Sequence, residues 1–159
     1  MKKHCIILVG IPCVGKSTWC DEFLKNNPEY LRISFDSYLE NMAKVNNISY
    51  LKAFDLYKKE ANKALICHSK FAFNKGFNVI IDMTNINVKS RAKNAEMFRT
   101  YTKDVIVFPW SNWNEYKRRV AMRDKKVPWI AINSIKKNYE PPKLVEGFNS
   151  INKFDNGLL

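Results

Sequence analysis

The sequence has few of the residues that build metal centres or disulfide frameworks. It contains 2 histidines and 4 cysteines in 159 residues, and no two cysteines are spaced as a C-x-x-C pair. A structural zinc site requires about four such ligands at short, regular spacings, and no such spacing is present. The cysteines are therefore expected to be small apolar fillers in a reducing compartment.

Long apolar runs are also missing. No stretch of about 18 apolar residues occurs, which is the length that a membrane-spanning helix requires. The start "MKKHCIILVG" imitates a short signal peptide, but its apolar run ends before Pro12 and is too short for one. Repeats, low-complexity stretches and interdomain linkers are absent as well. We therefore expect a single cytoplasmic domain that covers residues 1–159.

Acidic residues are scarce relative to basic ones. There are 27 Lys and Arg residues against 15 Asp and Glu residues, which gives a formal charge of +12. Most of the excess lies in residues 86–139, where the net charge is +9, and the rest of the chain carries +3. Two interpretations remain open for this charge: a polyanionic partner, or a surface that favours solubility.

Four apolar runs lack polar alternation, which is typical of strands that are buried on both faces. They cover residues 5–9, 31–35, 77–83 and 105–108. Helical patterns separate or follow them at 16–25, 50–74, 89–100, 112–123 and 129–139. Strands that alternate with helices predict an α/β fold, with a parallel sheet of about four to five strands and helices on both faces.

The segment "GIPCVGKST" directly follows the first predicted strand and opens the first predicted helix. It matches G-x-x-x-x-G-K-[ST], the loop that wraps the phosphates of a nucleotide. In this motif the lysine bridges the β- and γ-phosphates, the serine hydroxyl holds Mg²⁺, and the helix start adds its positive end. The predicted ligands are ATP or another nucleoside triphosphate, with Mg²⁺. The predicted nucleotide-binding residues are Gly10, Pro12, Cys13, Val14, Gly15, Lys16, Ser17 and Thr18.

The apolar run "VIID" ends in a carboxylate, Asp82. In parallel sheets ligands gather at the carboxyl ends of the strands, so Asp82 is predicted to reach the Mg²⁺ held by Ser17, directly or through water. The alternative is that Asp82 caps the helix that starts past Asn87.

A second carboxylate, Asp36, follows the strand "LRISF". In this position it can face the γ-phosphate across the cleft and accept a proton from an attacking hydroxyl. Helix capping is the alternative. However, Ser37-x-x-Glu40 predicts a capping box of its own, which leaves Asp36 available for catalysis.

Two arginines in "YKRRVAMRDKK", Arg119 and Arg123, lie four residues apart and thus on one helical face. They are predicted to neutralise charge on the transferred phosphoryl group, as a lid over about residues 112–127. A solvated face and contacts to a nucleic-acid backbone are the alternatives. The aromatic residues that flank this segment could stack on bases, but packing between helices is the favoured role for each. They are Trp110, Trp113, Tyr116 and Trp129.

Taken together, these segments resemble the phage-type 5′-hydroxyl polynucleotide kinases of the P-loop phosphotransferase superfamily. The resemblance runs nearly end to end, through "GIPCVGKSTWCDEFLKNNPEY", "ISFDSY", "VIIDMTNIN" with Arg91, "VFPWSNW" with the arginines after it, and "PPKLVEGF". It implies transfer of the γ-phosphate of ATP to the 5′-hydroxyl of DNA or RNA in nucleic-acid end repair. It also implies catalytic roles for Asp36 as general base and for Lys16, Arg119 and Arg123 in stabilising the transition state, with the metal held by Ser17.

This sequence departs from the family pattern at three places. Members often carry an arginine three residues after the catalytic Asp, where this chain has Leu39; Lys44 is a candidate substitute. The best-known phage enzyme has its Asp directly before T-N, where this chain has Met83. No D-x-D-G-T motif follows, so a kinase domain without a phosphatase or ligase domain is expected.

Two other functions stay open at the level of sequence. One is a kinase of a small hydroxyl compound such as a nucleoside, a sugar or an antibiotic, which the missing arginine at Leu39 favours. The other is a nucleic-acid-binding accessory protein with a vestigial nucleotide site, which the intact set of Lys16, Asp36 and Arg123 disfavours. A signalling GTPase is disfavoured because Asp82 is followed by Met83, Thr84 and Asn85, where a D-x-x-G motif would be required. A motor ATPase would need a longer chain.

Overall fold

Five strands and six α-helices alternate along the chain in the computed structural model, which describes residues 2–110, 112–122 and 127–155. The strands are β1 (His4–Val9), β2 (Tyr30–Ile33), β3 (Asn78–Asp82), β4 (Thr102–Val107) and β5 (Ser150–Lys153). The helices are α1 (Lys16–Asn26), α2 (Phe35–Val45), α3 (Tyr50–Lys75), α4 (Val88–Ala95), α5 (Trp113–Met122) and α6 (Trp129–Lys137).

All five strands run parallel in the order β2-β3-β1-β4-β5, which confirms the predicted α/β architecture. Strand β1 lies at the centre, between β3 and β4. Its Leu8 is in register with Asp82, and its Val9 with Val107. The carboxyl ends of three strands therefore meet where the loop after β1 begins, which is where ligands bind in such sheets.

Each face of the sheet is buried under helices, as the unbroken apolar runs predict. In β1, Cys5, Ile7 and Val9 face one core, while Ile6 and Leu8 face the other. The first core includes residues of α3 and α4, and the second includes residues of α1, α5 and α6. A fully buried Ile or Leu stabilises the fold by roughly 1.5–3 kcal/mol, so both cores hold the central strand in place.

The boundary between β2 and α2 differs from the predicted one. Strand β2 ends at Ile33 rather than at residue 35, because Ser34 turns the chain and caps α2: its hydroxyl accepts a hydrogen bond from the Ser37 N–H at 3.3 Å. The predicted capping box on Ser37 is thus wrong by three residues. Asp36 lies inside the first turn of α2 and does not cap it.

Strand β5 was not predicted from its segment, because an edge strand with exposed Asn152 and Lys153 leaves no apolar run. It pairs with β4 and brings the count within the predicted range. The pattern over 89–100 is divided into α4 and a 3₁₀ turn, Glu96–Phe98, which buries Phe98. The other predicted boundaries agree to within three residues in the described ranges, whereas α2 had no predicted range.

Helix α3 is the longest element, and its ends carry clear signals. Ser49 accepts a hydrogen bond from the Lys52 N–H, and Gly76 ends the helix with φ +67°, a left-handed conformation that favours glycine. No helix within the described ranges is both long and apolar enough to cross a bilayer.

Candidate active site

The loop between β1 and α1 has the geometry of a phosphate cradle. A Cβ on Gly10 would lie 2.9 Å from Val14 Cγ2 and 3.1 Å from Phe108 Cβ, so only glycine fits there. Gly15 has φ +100° and delivers the chain into α1 at Lys16. The Lys16 ammonium is buried and donates to the carbonyls of Gly10 at 2.7 Å and Ile11 at 2.9 Å. The helix N-terminus and this cation together make the site attractive to phosphate.

Ser17 and Asp82 meet beside this cradle. The Ser17 hydroxyl donates to Asp82 Oδ2 at 3.2 Å, and the Asp82 carboxylate is almost completely buried. Asp82 does not cap the following helix, because Asn87 caps α4 by accepting from the Ser90 N–H. Of the two predictions for Asp82, the capping alternative is therefore wrong.

The side-chain oxygen atoms of Ser17 and Asp82 are suitable ligands for a Mg²⁺ ion that binds together with a nucleotide. Mg²⁺ prefers oxygen ligands and is usually held by one or two protein groups, with phosphates and water completing its shell. In the described ranges no group of three or more His, Cys, Asp or Glu side chains could hold a metal by itself. A metal at Ser17 would therefore depend on the phosphates of the nucleotide.

Asp36 lines the same cleft as the phosphate loop. Its Oδ1 accepts a hydrogen bond of 2.6 Å from the hydroxyl of Tyr50, the first residue of α3. The sequence did not single out Tyr50, since a tyrosine at the start of a helix has no distinctive pattern. The contact joins α2 to α3 and fixes the orientation of the carboxylate.

One cleft of about 930 Å³ joins these groups. Most predicted site residues line it: Pro12, Cys13, Gly15, Lys16, Ser17, Thr18, Asp36, Asp82 and Arg119. Val14 does not line it, because its side chain is buried in the core beneath the loop. Gly10 contributes through its backbone, whose N–H donates to Thr84 O at 3.0 Å.

Two arginines of α5 also line this cleft. Arg118 and Arg119 both line the cleft, and both donate to the carboxylate of Glu115 at 2.8 Å. These hydrogen bonds lower the pKa of Glu115 to about 2, so this carboxylate stays charged and orients both guanidinium groups. Arg118 was not singled out from the sequence. Arg123 lies outside the described residues, and its role stays a prediction.

The aromatic residues around α5 pack against one another. Trp113 stacks on Tyr116 with ring centroids 5.4 Å apart, and Trp129 meets Trp113 edge-on. Trp110 makes an edge-on contact with Tyr139. These contacts agree with the packing role that the sequence favoured.

The position at which members of the resembled family often carry an arginine is occupied here by a core residue. Leu39 is fully buried in α2, and Lys44, the candidate substitute, is exposed near the end of that helix and does not line the cleft. The cations that line the cleft in the described part of the chain are Lys16, Arg118 and Arg119.

The fold and the site define a P-loop nucleotide-binding domain. The model of a family described as an AAA domain matches residues 5–142, and the chain belongs to this family. Membership of this family implies binding of a nucleoside triphosphate.

The comparisons with individual proteins give more distant similarities. Heterogeneous nuclear ribonucleoprotein U-like protein 2 is 26% identical in Mus musculus over 87% of this chain, and 25% identical in Homo sapiens. The chain spans about a fifth of the length of these relatives.

Solved structures share the fold at low identity. A putative kinase from Chloroflexus aurantiacus has a TM-score of 0.70 at 15% identity, covering 99% of this chain and 88% of its own. A fungal RNA kinase has a TM-score of 0.62 at 13% identity, covering 96% and 74%. Shikimate kinase from Bacteroides thetaiotaomicron has a TM-score of 0.51 at 15% identity, covering 92% and 84%.

Proposed function

We propose that this chain is an ATP-dependent kinase that phosphorylates the 5′-hydroxyl end of DNA or RNA. The observation that carries the proposal is that Asp36 and the phosphate loop line the same cleft. A carboxylate in that position is suited to accept the proton of an acceptor hydroxyl while a nucleotide phosphate lies against Lys16.

The proposed reaction uses side chains that line the cleft. The acceptor oxygen attacks the γ-phosphorus and gives its proton to Asp36, while the bond from the γ-phosphorus to the bridging oxygen breaks and ADP leaves. Lys16, Arg118 and Arg119 neutralise charge on the oxygens of the phosphoryl group while this group is transferred. A bound Mg²⁺, held by Ser17 and with Asp82 beside it, would supply further charge neutralisation.

The acceptor side of the cleft supports a nucleoside end over a sugar-like compound. Tyr50, Leu51 and Phe54 of α3 form an apolar wall next to Asp36, and Leu51 and Phe54 are 46% and 37% exposed. Such a wall suits the flat face of a base better than a polyol, whose hydroxyls need polar partners. The formal charge of +12 also suits a polyanionic acceptor.

A kinase of a small hydroxyl compound is the second candidate. It is favoured by buried Leu39, because the position at which members of the resembled kinase family often carry an arginine is apolar here. The fold shared with shikimate kinase is compatible with it.

A transfer assay with γ-labelled ATP and Mg²⁺ tests the proposal. The protein is incubated with 5′-hydroxyl DNA and RNA oligonucleotides, and in parallel with nucleosides and shikimate. We expect label on an oligonucleotide; label on small compounds alone would favour the second candidate, and no label on any oligonucleotide would contradict the first.

The Asp36→Asn variant tests the base within the same assay. Transfer should fall by about 10²-fold or more, with ATP binding retained, since general-base catalysis contributes about that factor. Asp55→Asn is the matched control, because Asp55 is a second carboxylate of the same cleft and is exposed. Normal transfer by Asp36→Asn would show that the base is assigned wrongly.

A further inference from the structure

An arginine that does not itself line the cleft contacts the carboxylate at which a metal ion is expected. Arg32 of β2 donates from Nε and Nη2 to Asp82 Oδ2, with the Nε contact at 2.9 Å. The same oxygen accepts the hydrogen bond from the Ser17 hydroxyl. Asp82 Oδ2 is therefore engaged by three donors at the point where it faces the predicted metal ligand.

The strand register explains why Arg32 reaches this point. Arg32 is paired with Ile80 across the parallel ladder, and Ile80 and Asp82 lie on the same face of β3. The arginine side chain thus runs along the sheet beneath α1 toward the next same-face residue, Asp82. Its Nη1 donates to Asp21 of α1 at 2.9 Å, which fixes the guanidinium between two carboxylates.

The environment makes this pair strong. The Asp82 side chain is 4% exposed and the Arg32 side chain 22%. A buried carboxylate requires a partner, because an unpaired charge in the interior is costly. Arg32 is that partner, and it brings a positive charge beside Asp82, as a bound Mg²⁺ would.

We propose that Arg32 is an internal counter-cation that competes with the divalent metal for Asp82 and so sets the metal requirement of the nucleotide site. Resting on the proposed nucleotide-dependent function, this inference concerns the regulation of the same site. A metal that binds beside Ser17 meets a carboxylate oxygen already engaged by a guanidinium, and the fixed positive charge nearby repels it. The metal gains full access to Asp82 only when the guanidinium withdraws toward Asp21.

Metal binding in neutral variants of Arg32 tests the proposal directly. Mn²⁺ is used as the probe and titrated into the full chain with saturating ADP, and free Mn²⁺ is followed by electron paramagnetic resonance. Arg32→Gln, which can still donate to Asp82, and Arg32→Met should both bind Mn²⁺ about tenfold more tightly than the wild type, because each removes a fixed positive charge that repels the metal. Arg32→Lys retains the charge and should stay close to the wild type.

Thermal melting gives a second readout that needs no catalysis. Without divalent metal, Arg32→Met should melt below the wild type, because Asp82 is left buried without its counter-ion. Added Mg²⁺ with ADP should raise the melting temperature of this variant more than that of the wild type. Arg99→Met is the matched control, since Arg99 is 78% exposed and its loss removes one positive charge away from the cleft.

The outcomes separate this inference from the proposed function. Equal or weaker Mn²⁺ binding by the neutral variants would overturn the role of Arg32, whatever acceptor the enzyme uses. Failure of oligonucleotide labelling would overturn the proposed acceptor and leave the metal titration unaffected. If Arg32→Met does not fold, Arg32→Gln decides the question by the same titration.

Discussion

The hydroxyl of Tyr50 donates a 2.6 Å hydrogen bond to Asp36 Oδ1 and thereby joins the start of α3 to the first turn of α2. Asp36 is the candidate base, so Tyr50 is a positioning residue for it. Tyr50→Phe removes the donor while keeping the ring. We expect kcat to fall about tenfold, the factor that corresponds to losing a hydrogen bond to a charged group.

Separate measurement of kcat, the KM for ATP and the melting temperature distinguishes positioning from a structural role. In Tyr50→Phe the KM for ATP and the melting temperature should stay near the wild-type values. Tyr57→Phe, two turns further along α3, is the control and should leave kcat unchanged. A drop in melting temperature that accounts for the lost activity would argue against positioning.

Buried Arg91 joins the loop after β3 to the segment before β5. Its guanidinium donates twice to Glu146, at 2.7 and 2.8 Å, and also to the carbonyls of Asn85 and Glu140. Arg91→Met should lower the free energy of unfolding by about 3 kcal/mol, because it leaves Glu146 without its counter-ion. Urea unfolding measures this, with exposed Arg99→Met as the control; a loss below about 1 kcal/mol would contradict it.

The same ion pair predicts a loss of stability in acid. Burial alone would raise the pKa of Glu146, but hydrogen bonds from Arg91 and from the Lys143 N–H outweigh it, and the pKa is lowered below 4.5. A lowered folded-state pKa means that the carboxylate stabilises the fold above about pH 4.5 and that this contribution is lost as the pH falls through the lowered value. Urea unfolding from pH 6 to 3 should show the decline.

Glu146→Gln provides the comparison for the acid profile. This variant should be less stable than the wild type at pH 6 and should lose less stability on acidification. If the free energy of unfolding falls equally for the two proteins between pH 6 and 3, other carboxylates control the loss of stability in acid.

The cysteines should differ in reactivity according to their positions. Cys5 and Cys20 are fully buried, and burial raises the pKa of each thiol to about 12, so neither should react with iodoacetamide in the folded protein. Cys67 is exposed on α3, and Cys13 is half-buried in the phosphate loop, where it lines the cleft.

Nucleotide should protect Cys13 alone. Peptide mass spectrometry after alkylation should show Cys13 modified more slowly when ADP and Mg²⁺ are present, because the phosphates cover the loop. Cys67 serves as the internal control and should react at the same rate with and without nucleotide. Equal alkylation of Cys13 in both conditions would place the nucleotide elsewhere.

Local patterns were sufficient for much of this protein. The unbroken apolar runs predicted strands buried on both faces, and "GIPCVGKST" predicted the phosphate loop, because that motif encodes its own backbone geometry and helix start. Asp36 and Asp82 were found because ligands gather where parallel strands end. Errors arose where the signal was weak: Ser34 rather than Ser37 caps α2, and the exposed edge strand β5 has no apolar run.

The sequence by itself thus indicated the class of architecture, the phosphate loop and the positions of the two carboxylates, since each is marked by a pattern of residues close in the chain. Only the tertiary structure decided which distant side chains complete them. Tyr50 reaches Asp36 from another helix, and Arg32 reaches Asp82 from a neighbouring strand through a register that no local pattern encodes. The complete burial of Leu39 was likewise visible only in the tertiary structure.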